Sequence, residues 1–66
     1  MQETIKKTIR KIIQEKIAQN EAFPSAHSVE VANRLKMNAR EVEFITEGTE
    51  GIIKHKTING EYYEEA

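Results

Sequence analysis

The chain has no cysteine, which excludes a disulfide scaffold and any thiolate metal site. It has no apolar run long enough to span a bilayer. Lys6, Lys7, Arg10 and Lys11 interrupt the N-terminal stretch, where a secretory signal needs an unbroken apolar core. A soluble, cytoplasmic protein with no membrane partner is the expectation. An excess of positive charge is missing too, because 10 Lys and Arg stand against 11 acidic residues, for a formal net charge of −1. A strong nucleic-acid binder of this size is ordinarily clearly basic, so any DNA contact has to come from a local patch. The length, 66 residues, makes one small domain with little room for an enclosed substrate pocket. Neither histidine has a second ligand at a metal-site spacing, and Ser25, Ser28 and Thr57 have no evident base partner. The sequence therefore predicts a protein that is not an enzyme and holds no metal and no cofactor, with His27 and His55 as structural or surface residues.

What is present falls into a clear order, with no repeat and no linker. Residues 2–19 read as an amphipathic helix, with Met1, Ile5, Ile9, Ile12 and Ile13 on one side at about 100° per residue. Isoleucine is a mediocre helix former, so this helix depends on burying its stripe. Lys16 lies near the middle of the apolar sector and is expected to carry its amine past the helix end. Pro24 disfavours helical dihedrals at Phe23 and ends the segment; the Phe23 ring is expected in the core. A second helix is expected over 25–36, capped by Ser25 or Ser28. Lys36-Met37 makes a turn. Asn38, with Glu41 three residues on, forms a capping box that opens a third helix over 39–47. From Ile52 the period changes to two, and Asn59-Gly60 marks a hairpin over 52–65. Placing those two residues at the turn centre pairs Thr57 with Tyr62, Lys56 with Tyr63 and Lys54 with Glu65. The less charged face, with Ile53, His55, Thr57 and Tyr62, is expected to pack on the helices. The predicted core is Ile5, Ile9, Ile12, Ile13, Phe23, Val31, Ala32, Leu35, Val42 and Ile45.

The stretch from Val31 to Val42, VANRLKMNAREV, resembles the helix-turn-helix consensus. Ala32 is the small residue where the two helices cross, Leu35 and Met37 flank the turn, Asn38 caps, and Val42 follows one turn later. With a helix before it and a hairpin after it, nearly the whole chain resembles the winged helix-turn-helix superfamily. The resemblance implies an α+β fold: a single winged helix domain over 1–66, three helices followed by a two-stranded antiparallel wing. It also implies a small DNA-binding protein, a transcriptional regulator or a phage- or plasmid-type accessory factor. The third helix would lie in the major groove of double-stranded DNA, with the wing on an adjacent backbone. The residues it assigns to DNA are Lys36, Asn38, Ala39, Arg40, Glu43, Lys54, Lys56 and Tyr63.

The sequence departs from that pattern twice. The turn often has glycine where this chain has Lys36, at a position where a positive φ disfavours a side chain. The third helix also carries Glu41, Glu43 and Glu47 where a DNA-reading helix presents donors to base edges and phosphates. A winged-helix protein-interaction module that does not bind DNA is therefore the rival reading, with the acidic helix or the first helix as its contact surface. Ile5, Ile9 and Ile12 have coiled-coil spacing, so a homodimer through the first helix stands beside the intramolecular core as their use.

Overall fold

The structure, a computed structural model, describes residues Met1–Ala66. The elements are α1 (Gln2–Ala18), β1 (Ala26–His27), α2 (Ser28–Leu35), α3 (Ala39–Glu47), β2 (Ile52–Thr57) and β3 (Gly60–Glu65). Three helices thus pack with a three-stranded antiparallel sheet of order β1-β3-β2. No helix is long and apolar enough to cross a membrane.

Helix α1 forms where its isoleucine stripe meets the core. Ile5, Ile9 and Ile12 are at most 1% exposed and Ile13 is also buried. Their side chains are spent inside the chain and leave no isoleucine seam for a second copy. The helix ends at Ala18 with Gln19 as its C-cap, and Asn20 just beyond takes a positive φ of 62° that suits asparagine. Lys16 does carry its amine out of the apolar sector, and it does so to bind: Nζ donates to Ser25 O and to Glu30 Oε1, both at 2.7 Å. Burial alone pushes the Glu30 carboxyl up. Hydrogen bonds from Lys16 and from the His27 N–H outweigh burial and hold it below its ordinary value.

The expected helix over 25–36 is shorter at its start. Ala26 and His27 form a strand that pairs with Tyr63 and Tyr62. His27, rather than Ser25 or Ser28, caps α2. Its Nδ1 accepts from the Val29 N–H at 3.0 Å, while Glu30 Oε1 accepts from the His27 N–H. With Nδ1 accepting, Nε2 carries the ring proton and donates to Asn59 O at 3.0 Å. One imidazole therefore ties the start of α2 to the hairpin turn. Phe23 is not in the core; it is 90% exposed. Leu35 and Ile45 are half-buried and pack against the core from outside.

The turn between α2 and α3 follows the expected chemistry. Lys36 sits in the left-handed region at φ 54°, ψ 48°, and Asn38 Oδ1 accepts from the Arg40 N–H at 2.9 Å to open α3. Lysine bears a steric penalty in that conformation which glycine escapes, partly offset by the greater freedom of unfolded glycine. Lys36→Gly is expected to stabilise the fold by about 0.5–1 kcal/mol, raising Tm by about 2–8 °C. A thermal melt checks it, with Lys36→Ala, which keeps the penalty, expected to show no such gain.

The hairpin differs from expectation in register and in packed face. Thr57 pairs with Gly60, Lys56 with Glu61, His55 with Tyr62 and Lys54 with Tyr63. The turn centre is therefore Ile58-Asn59. Neither has a positive φ; Gly60 carries it, at 126°. Thr57 selects this turn, since its Oγ1 accepts from the Asn59 N–H at 3.1 Å and donates to Gly60 O at 3.0 Å. The shift moves each partner by two residues, so the membership of the two faces survives. The face that packs is the other one: Glu61 and Tyr63 are buried, while Ile53, His55 and Thr57 are exposed. Glu65 is released from Lys54 and pairs with Arg10 at 3.0 Å.

Candidate interaction site

Helix α3 turns two faces in different directions. Val42 and Thr46, a turn apart, are buried. Arg40, Glu43, Phe44 and Glu47 follow the i, i+3, i+4, i+7 spacing of a single stripe and look toward the hairpin. Together with Lys56 and Glu61 they line an open groove of about 410 Å³ between α3 and β2–β3. Phe44 is 77% exposed. It and Glu47 also line a second concavity against Met1, Gln2 and Glu3, so the phenyl ring stands on the ridge between two hollows.

Beneath the groove lies a buried polar network joining α2, α3 and β3. The Glu61 N–H donates to Ser28 Oγ at 3.3 Å, and Ser28 Oγ donates to Glu43 Oε2 at 3.2 Å. Tyr63 OH donates to Glu61 Oε1 at 2.8 Å. Thr46 Oγ1 lies 2.9 Å from Glu43 O and 3.4 Å from Tyr63 OH. Ser28, Thr46, Tyr63 and Glu61 are all at most 5% exposed. Burial pushes the Tyr63 phenol well above its ordinary value; the Thr46 bond opposes this, and the bond to Glu61 and the charges of Glu61 and Glu43 add to it. Tyr63 is thus a neutral donor fixed inside the protein.

The residues assigned to DNA by sequence separate accordingly. Arg40, Glu43 and Lys56 come together on the groove. Lys36 and Asn38 are exposed at the turn, with the Asn38 side chain used as the α3 cap. Ala39 is half-buried and packs against the core. Lys54 is half-buried beside Tyr63. Tyr63 is 0% exposed and does not reach the surface, because β3 is the central strand and presents this face to the helices. Sequence reasoning assigned neither Phe44 nor Glu61 to the site, although both line the groove.

The charges of the groove are unneutralised within the chain. The ion pairs are Arg10–Glu65, Lys16–Glu30, Arg34–Glu15 and His55–Glu64. None involves Glu43, Glu47 or Glu61, and none involves Lys36, Arg40, Lys54 or Lys56. No family model, no curated protein and no solved structure matches the chain.

Proposed function

We propose that the chain is a winged-helix protein-interaction module, a binding rather than a catalytic protein, whose ligand face is the α3–hairpin groove. The winged-helix reading is supported by the order of helix, paired helices and hairpin, by the Asn38 cap, and by a left-handed residue in the turn where that superfamily often has glycine. One observation carries the choice of partner. The groove where a duplex would lie sets three carboxylates, Glu43, Glu47 and the largely buried Glu61, against two cations, Arg40 and Lys56, a net negative balance beside a phenyl ring that is 77% exposed. Phosphates are repelled by such a surface, whereas a protein segment with basic and apolar side chains complements both its charge and its exposed ring.

DNA binding is the second reading, supported by a specific observation of its own: Lys36, Arg40, Lys54 and Lys56 all lack ion-pair partners, and Arg40 and Lys56 line the same groove. It would place the start of α3 in the major groove and Lys56 on a backbone, as in a small regulator or a phage- or plasmid-type accessory factor.

Reversing two charges separates the readings by sign. For the module, peptides selected from a random library on the folded chain are expected to be rich in Arg or Lys beside apolar residues. Glu43→Lys with Glu47→Lys should weaken them by about tenfold or more, with no retardation of random-sequence duplex at micromolar protein. Salt-sensitive retardation by the wild type, strengthened by the same double change and weakened by Arg40→Ala or Lys56→Ala, would overturn the module in favour of DNA.

A further inference from the structure

Glu61 is 5% exposed yet lines the groove. One of its carboxylate oxygens accepts from Tyr63 OH. The other has no hydrogen-bond partner within the chain; no fully buried side-chain oxygen is left unpartnered, so it keeps contact with solvent, and the concavity that Glu61 lines is the groove. A carboxylate held this deeply is destabilising unless a cation or several donors meet it. Arg40 and Lys56 flank it, but neither comes within ion-pairing reach, 4.0 Å. Glu43 and Glu47 add two more carboxylates along the same wall.

We propose that this groove is a receptor for an arginine side chain of the partner, with the guanidinium on Glu61 and its plane against Phe44. This rests on the protein-docking reading above and names the group that is docked. No three acidic or histidine side chains gather closely enough to hold a metal ion, so the carboxylates suit an extended cation with several donors rather than a point charge. Guanidinium offers five N–H donors in a planar fork and stacks on an aromatic face; ammonium offers a compact charge that satisfies one carboxylate at a time. The three carboxylates line the groove from two different elements, α3 and β3.

The test is an amide NMR titration of the whole chain with N-acetyl-arginine methylamide, against its lysine and citrulline counterparts. Saturable shifts at Glu43, Glu47, Glu61 and Tyr63 are expected, with arginine ahead of lysine and citrulline about tenfold weaker or silent. Glu61→Gln keeps an acceptor for Tyr63 OH, so it retains the fold and should lower arginine affinity about tenfold. Phe44→Ala, at an exposed position, should lower it a few-fold. Equal response to citrulline, shifts centred on other glutamates such as Glu3, Glu21 or Glu50, or indifference to Glu61→Gln each overturns the receptor. Arginine binding without any selected peptide supports the receptor and overturns the docking module. Selected peptides that bind without arginine uphold the module and overturn the receptor.

Discussion

Ile9→Ala is expected to leave the chain largely unfolded at room temperature. Ile9 is 1% exposed in the middle of α1, with Ile5 a turn before it and Ile12 and Ile13 a turn after. These side chains are the contact of α1 with the rest of the core, which includes Val31, Ala32, Val42 and Tyr63. Truncating a buried isoleucine to alanine costs about 2–5 kcal/mol, through lost transfer energy and the cavity left behind. A single core in a chain of this size rarely supplies more than about 3–5 kcal/mol, so one substitution consumes most of the stability. The loss is expected to extend beyond α1, because a helix rich in isoleucine does not persist without its packed face. Circular dichroism with a urea titration measures it. Ile17→Ala, at a 56% exposed position on the same helix, is the control, expected within about 0.5 kcal/mol of the wild type. Equal effects at the two positions would mean that α1 is not seated on the core as described.

Local chemistry made parts of this fold legible and left others hidden. The α1 stripe, the Asn38 cap and the left-handed need at Lys36 each depend on residues within one or two turns of one another, and each lies where the sequence placed it. The strand at Ala26–His27 exists only through its pairing with Tyr63 and Tyr62, so nothing local announces it. Phe23 misled because an aromatic residue beside a proline reads as a core plug. The buried residue of this segment is instead Ala26, which is 0% exposed and pairs with Tyr63, while Lys16 of α1 bridges Ser25 and Glu30. In the hairpin, the preference of Asn-Gly for the turn centre lost to the Thr57 hydroxyl. Counting charges over both strands points to the wrong packed face, because Tyr63 and Glu61 of β3 are buried among the helices by partners distant in sequence, and the lysines beside them, Lys54 and Lys56, belong to the edge strand β2. As for the groove, the spacing of Arg40, Glu43, Phe44 and Glu47 was readable as a helical stripe distinct from Val42 and Thr46. Glu61 was not, because a glutamate in an alternating strand reads as outward-facing until its tertiary partner, Tyr63, is known.

Tyr63→Phe is expected to cost about 2–3 kcal/mol, a large share of the total, although it removes one oxygen atom. The ring still fills its place, so no apolar area is lost. What disappears is the phenol that donates to Glu61 Oε1 and lies 3.4 Å from Thr46 Oγ1. Glu61, 5% exposed, is then left without its only side-chain donor. Two further results distinguish this cause from general disruption. In a Glu61→Gln background the same change should cost about 1 kcal/mol less, because the stranded acceptor is no longer a carboxylate. Strictly additive losses in urea melts would refute the coupling. The second result is a pH dependence. The folded chain holds the Tyr63 proton above its ordinary value, more tightly than the unfolded chain does. Its contribution is therefore complete below the unfolded tyrosine value, about 10, and declines as pH rises past it. Tyr63→Phe has no such proton to lose, whereas Tyr62 is common to both proteins. The stability gap between wild type and variant should thus stay constant through neutral pH and narrow above about pH 10. A gap that widens there would place the phenol in a site that favours its charged form, contrary to the burial and the glutamate neighbours that surround it.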